Sequence, residues 1–117
     1  APTADYTDAG YAAFEAALKS NRPIMIDFFA EWCVACKELE KFTFTDKAVQ
    51  AESANFELLQ VDATEDFEGL DLLKKKFNVV GLPTMIFFNP KGIRVESATL
   101  TGFEEAPQFL QRMQSAK

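Results

Sequence analysis

Ile24-Met25-Ile26-Asp27-Phe28-Phe29-Ala30-Glu31-Trp32-Cys33-Val34-Ala35-Cys36-Lys37 is the stretch on which the fold turns. Its first six residues are apolar at every position but one, the pattern of a central strand buried on both faces. A short turn, Ala30-Glu31-Trp32, leads to Cys33. A helix is then predicted from about Val34 to Phe42, with a break near Thr43 to Thr45. A buried strand that runs into a C-x-x-C pair at the start of a helix is a much more specific signal than the pair alone.

Working outward, Asp8 is a candidate N-cap for a first helix. Tyr11, Phe14 and Leu18 recur in it at helical spacing, and Asn21 and Pro23 end it. Asp46 is placed to cap a short helical piece through Ala51. Phe56 to Val61 reads as a second strand. Asp66 is predicted to open a helix with Phe67, Leu70, Leu73 and Phe77 on one face. Thr84 to Phe88 reads as a third strand. Asn89-Pro90-Lys91-Gly92 is a turn signal, and Ile93 to Leu100 is expected to return as a hairpin partner. Beyond Gly102 a last helix, about Glu104 to Gln114, turns Phe109, Leu110 and Met113 inward. No first strand is evident before the first helix, so the expected sheet has four to five strands. The early strands are separated by crossover helices and are expected to be parallel. The fold class is therefore α/β, a mixed sheet with helices on both faces.

Composition narrows the chemistry. The 117 residues fit one domain, and 48% apolar residues with twelve Phe supply its core. A net charge of -6 argues against nucleic-acid binding. The basic run Lys74-Lys75-Lys76 reads as a solvated last helical turn that complements the helix dipole. No apolar stretch approaches the roughly 18–20 residues of a membrane span. The start, Ala1-Pro2-Thr3, lacks Met and the regions of a signal peptide, and is expected in a processed chain or in a domain excised from a longer one. With two Cys and no His, the chain has neither a disulfide scaffold nor a four-thiolate zinc site, nor a Cys-His or Ser-His-Asp apparatus.

The chemistry left to Cys33 and Cys36 is thiol–disulfide exchange. Cys33 is placed at or beside a helix N-cap, where free backbone N–H groups and the positive dipole end stabilise the attacking thiolate. Cys36 lies one turn on, on the same face, placed to bond Cys33 or to attack a mixed disulfide held there. A purely structural disulfide would close too small a loop to restrain the unfolded chain much. Val34 and Ala35 add no charge, which fits a reducing or intermediate potential rather than that of a strong oxidase.

Asp27 is the one ionisable group in its strand, and burial should raise its pKa. Its expected job is to exchange a proton with Cys36 during resolution of a mixed disulfide; the alternative is a solvated edge residue. Glu40, four residues after Cys36, falls on the cysteine face, whereas Glu38 does not. Charged Asp27 and Glu40 would both oppose thiolate formation, and the bland reading of Glu40 is a surface acid. Pro83, in Gly81-Leu82-Pro83-Thr84, precedes a strand, where Pro needs a bulge, an edge or a cis bond; the alternative is an ordinary turn. Trp32 is placed to cover the disulfide or to form a docking surface, with Phe42 and Phe44 nearby.

Trp32-Cys33-Val34-Ala35-Cys36-Lys37, with Asp27 upstream and Gly81-Leu82-Pro83-Thr84 downstream, resembles the thioredoxin superfamily over nearly the whole chain. The Val-Ala dipeptide, Lys37-Glu38-Leu39-Glu40-Lys41, Phe42-Thr43-Phe44-Thr45-Asp46 and Phe87-Phe88 are most similar to the C-terminal periplasmic domains of the DsbD family of transmembrane thiol:disulfide interchange proteins. Ordinary thioredoxins carry Gly-Pro between the cysteines. The resemblance implies Cys33 as exposed nucleophile, Cys36 as resolving thiol, Asp27 and Glu40 as active-site acids and Pro83 as a cis-proline. Trp32, Val34, Ala35, Leu82 and Pro83 would meet the partner. It implies a monomeric protein-disulfide reductase domain, periplasmic and borne by an inner-membrane protein, needing no cofactor or metal beyond its own disulfide. Such a domain passes electrons from a membrane-embedded domain to an N-terminal periplasmic domain, which supplies disulfide isomerase and cytochrome c maturation pathways. Two other readings are a free-standing thioredoxin-like reductase and a non-catalytic binding module with an idle disulfide.

Overall fold

Ile24–Phe29 forms β1, and every one of its first five residues is buried. The structure, a computed structural model, describes the backbone from residue 8 and side chains from residue 12. The cap expected at Asp8, the side chain of Tyr11 and the stretch before the first helix lie outside the described residues. The elements are α1 (Asp8–Leu18), β1, α2 (Val34–Glu38), a π-helical turn (Leu39–Thr43), α3 (Lys47–Ser53), β2 (Glu57–Asp62), α4 (Leu70–Phe77), β3 (Thr84–Phe88), a 3-10 turn (Glu96–Ala98), β4 (Leu100–Thr101) and α5 (Ala106–Ser115).

The described sheet has four strands in the order β2-β1-β3-β4. Strand β1 is central, and successive side chains on it alternate between two cores. Ile24, Ile26 and Phe28 face a layer with Phe14 and Ala17 of α1 and Leu70, Leu73 and Phe77 of α4. Met25 faces the other layer, with Leu39, with Val49 of α3 and with Phe109 and Met113 of α5. Helices thus cover both faces, as the apolar run predicts.

Three expectations are corrected. β1 and β2 are parallel, Asp27 opposite Gln60, but β3 runs antiparallel to β1, Phe28 opposite Thr84. The chain leaves β2 beside Phe29 and enters β3 at that same end of the sheet. The eight-residue α4 spans only about 12 Å and does not carry the chain to the far end. Helix α4 begins at Leu70 rather than Asp66, because Gly69 has φ 95, outside the right-handed helical region. Phe67 still packs on the core from the preceding turn. The return after the hairpin turn is not one strand. Phe88 pairs with Arg94, and Met85 with Leu100. Three residue steps along β3 are therefore matched by six along the return, and the excess is folded into the 3-10 turn Glu96–Ala98.

The hairpin turn itself forms as read. Asn89 Oδ1 accepts from the N–H groups of Lys91 and Ile93 at 3.0 and 3.1 Å, and Gly92 takes φ 78. Asp46 caps α3, its carboxylate accepting from Ala48 N and Val49 N. Lys74, Lys75 and Lys76 occupy the last turn of α4.

Candidate active site

Cys33 is the N-cap of α2, with extended backbone at φ -90 and ψ 110. It is bonded to Cys36, with a Cα–Cα separation of 5.2 Å. The Cys33 Sγ also accepts a hydrogen bond from the Cys36 backbone N–H at 3.2 Å. The sulfur is therefore the acceptor that a Ser or Asp side chain provides at other helix starts. A thiolate formed there meets that same N–H and the positive end of the helix.

Neither cysteine is exposed, which corrects the expectation for Cys33. Cys33 keeps 7% of its surface and Cys36 3%. They pack with Ala30 and against Phe29, Ala35 and Leu82. Cys33 is the less covered of the two and lies at the edge formed by Leu82 and the start of α2.

That edge is built from three segments. Trp32 is 66% exposed and Val34 74%. The Trp32 Nε1–H donates to the Thr64 carbonyl at 3.0 Å, and the Glu31 N–H donates to Thr64 Oγ1 at 2.9 Å. Thr64 is in turn held by Asp62 Oδ1. The Leu82–Pro83 peptide bond is cis, Leu82 is half-buried and Pro83 is buried. The Pro83 carbonyl accepts from Gly102 N–H at 3.3 Å. Trp32, Val80, Gly81 and Leu82 line a small groove of about 300 Å³ with Lys74. Ala35 is half-buried, beside the disulfide.

Asp27 is buried within β1, 5% exposed. Burial pushes its carboxyl from 3.8 up to about 7, a hydrogen bond from Gln60 pulls the other way, and the charge of Glu40 adds to the rise. Glu40 itself is half-exposed in the π-helical turn and lies 3.9 Å from Lys37 Nζ, which is also 3.9 Å from Glu31. The burial of Asp27 is as the sequence predicts, and the effect of Glu40 on it is visible only in the structure. The helix around Glu40 differs from the expected one: it is α-helical only to Glu38, then widens so that Phe44 N–H reaches the Leu39 carbonyl at 2.8 Å.

Thr64, Gln60 and Gly102 were not singled out from the sequence. The first two follow from the parallel pairing of β1 and β2. That pairing sets the loop after β2 beside the loop before Cys33, and Gln60 opposite Asp27. Alignment of the two apolar strands at their C-terminal ends was the available signal. Gly102 depends on the bulged return of β4 and has no local signature.

A cavity of about 490 Å³ reaches Asp27 between β1, β2 and α3. It is lined by Gln60, Met25 and Met85, with Gln50 and Ala54 at the exposed rim, and neither cysteine borders it. Among the described residues there is no cluster of three His, Cys, Asp or Glu side chains able to hold a metal. No described helix is long and apolar enough to cross a membrane.

Residues 5–90 match a thioredoxin-like family. The chain is 50% identical over 95 residues to the thiol:disulfide interchange protein DsbD of Yersinia pestis, covering 81% of this chain and 16% of that protein. It is 44% identical over 114 residues to DsbD of Pectobacterium atrosepticum, covering 97% of this chain and 19% of that protein. The chain thus spans less than a fifth of these relatives. The reduced C-terminal domain of Neisseria meningitidis DsbD superposes with a TM-score of 0.82 at 30% identity, covering 99% of this chain and 100% of that one. A thioredoxin from Thermus thermophilus superposes at 0.74 with 26% identity, over 97% of this chain and 84% of that one. A helix-capping disulfide on this fold, in a chain this similar over the whole of a DsbD C-terminal domain, makes the assignment: the chain belongs to the thioredoxin-like family and, within it, is a thiol–disulfide exchange domain of the DsbD type.

Proposed function

We propose that this domain is a relay for reducing equivalents, the periplasmic part of a longer inner-membrane protein. It takes electrons from a membrane-embedded dithiol and passes them to a periplasmic partner domain. The observation that carries the reading is the Cys33 sulfur at the helix N-cap, bonded to Cys36 and facing its N–H at 3.2 Å. Kinship with DsbD, where this chain matches only 16–19% of the length, supports partners within one larger protein.

In the loading step a dithiol of the membrane-embedded partner attacks the Cys33–Cys36 bond, and two electrons and two protons pass to this domain as the partner's dithiol becomes a disulfide. In the unloading step the Cys33 thiolate attacks one sulfur of the next partner's disulfide. The partner's S–S bond breaks, and its second sulfur leaves as a thiolate. Cys36 then attacks Cys33 Sγ, re-forms the internal disulfide and releases the partner's first sulfur. Asp27 takes the Cys36 proton in this last step, and that proton is passed on to the leaving thiolate. The negative charges of Asp27 and Glu40 hold the thiols protonated until docking changes their surroundings. Trp32, Val34, Ala35, Leu82 and Pro83 form the docking edge. The domain works as a monomer, and the reaction needs no cofactor beyond the disulfide.

Equilibration against a thiol buffer tests the direction. A potential between about -200 and -270 mV, the range of glutaredoxins and thioredoxin, fits a reducing relay. One near about -120 mV makes the domain an oxidant and reverses the flow. Rapid reduction of one periplasmic partner domain but slow reduction of unrelated protein disulfides separates the relay from a free-standing reductase. Full function in Cys33→Ser would instead leave only a binding module.

A further inference from the structure

Asp27 and Gln60 are register partners on adjacent parallel strands, so their side chains leave the same face of the sheet side by side. Both border the cavity that opens at Gln50 and Ala54. The Gln60 side chain is half-buried and hydrogen-bonded to the Asp27 carboxyl. Around that carboxyl stand Glu40 from the π-helical turn, Met85 opposite on β3 and Met25 along β1. Glu57 borders the same cavity from β2, and the cavity lining contains no Lys or Arg. Burial and Glu40 act against the carboxylate, and Gln60 acts for it.

A carboxamide suits this position because it serves both protonation states. Its NH2 donates to a carboxylate, and its carbonyl, after rotation of the amide, accepts from a carboxylic acid. A Lys or Arg there would lock Asp27 as an anion, and an apolar side chain would hold it neutral. We propose that Gln60 is a positioning residue for the exchange reaction, holding the Asp27 carboxyl in place and supporting its charged form as Asp27 accepts the proton of Cys36. This rests on the proton-transfer role proposed above for Asp27.

The test is Gln60→Met, which keeps the length of the side chain and removes its donor. Carboxyl carbon NMR follows Asp27 directly, and single-turnover resolution of a mixed disulfide is followed against pH. Asp27 is expected to titrate at higher pH in Q60M, and resolution at pH 7 to slow by about threefold to tenfold with its pH profile moved upward. In Asp27→Asn, adding Q60M should change nothing further. An unmoved Asp27 titration, or an equal slowing by Q60M in the D27N background, overturns the proposal. Titration that moves while the rate profile stays in place removes Asp27 from the reaction and leaves the hold of Gln60 on Asp27 intact. Gln60→Leu, which also lacks the donor and adds no charge, keeps the measurement available should Q60M fold poorly, with the same upward titration of Asp27 expected.

Discussion

The backbone N–H of Cys36 points at the sulfur of Cys33, 3.2 Å away, across the turn that the disulfide closes. The two cysteines are therefore unequal. Cys33 receives a hydrogen bond that survives replacement of the Cys36 side chain, and Cys36 has no such donor from Cys33. Cys36→Ser should keep Cys33 reactive and arrest the reaction at a mixed disulfide, whereas Cys33→Ser should form almost none. Both should reduce turnover to background. Incubation with an oxidised partner, followed by non-reducing electrophoresis and intact mass, checks this; equal trapping by the two variants would show that the helix start does not distinguish the sulfurs.

Asp27 makes stability depend on pH, with a definite sign. Its folded pKa is raised from 3.8 to about 7. Between those values the folded chain holds a proton that the unfolded chain has released, so stability falls as pH rises. The contribution is complete below about pH 4 and gone above about pH 7, with a ceiling of roughly 4 kcal/mol. Asp27→Asn should flatten this slope and exceed the parent by about 2–4 kcal/mol at pH 8. Urea unfolding of the oxidised forms at pH 5 and pH 8 measures it, and parallel behaviour of parent and variant would contradict a buried, proton-holding Asp27.

Trp32 should act on docking and not on the disulfide itself. The residue is 66% exposed, yet its Nε1–H is tied to the Thr64 carbonyl at 3.0 Å. An exposed aromatic with a fixed orientation costs little entropy to bury against a partner. Trp32→Ala is expected to slow exchange with a protein disulfide about tenfold and to leave the reaction with dithiothreitol and the potential nearly unchanged. Stopped-flow rates with both substrates decide it. An equal loss with the small thiol would mean that Trp32 tunes the disulfide instead.

What could be read from the sequence was local. The apolar run of β1, the placement of Cys33 at a helix start, the Asp46 cap and the Asn89–Gly92 turn each depend on a few neighbouring residues, and all formed as read. The lone acid in a buried strand was likewise enough to foresee the raised pKa of Asp27. What escaped depends on distant pairings. The direction of β3 follows from the end of the sheet to which the α4 connection returns. The burial of Cys33 follows from Leu82, which the fold brings over the disulfide. Gln60 is an unremarkable polar residue until the register of β1 against β2 sets it beside Asp27.

Arg112 of α5 ties down the segment that leads to the Pro83 loop. Its guanidinium grips both carboxylate oxygens of Glu104, at 2.8 and 2.7 Å, and donates to the carbonyls of Ala98 and Thr99 at 3.0 and 3.2 Å. Both side chains are only about a fifth exposed, so the pair is better shielded than a surface ion pair. The segment it clamps continues to Gly102, whose N–H donates to the Pro83 carbonyl, and to Phe103, which meets Phe42 edge-on at 6.4 Å. Arg112→Met keeps an apolar stem but strands the Glu104 charge and two carbonyls, and should cost about 2–4 kcal/mol. Adding Glu104→Gln should restore part of that loss, because the stranded charge is gone while the carbonyls remain without their donor. Hydrogen exchange should rise over residues 99–104 in R112M, and exchange with a protein disulfide should slow more than exchange with dithiothreitol. If E104Q fails to recover stability in the R112M background, the unpaired charge is not the cause; if hydrogen exchange at 99–104 is unchanged, Arg112 does not hold the segment beneath the Pro83 loop.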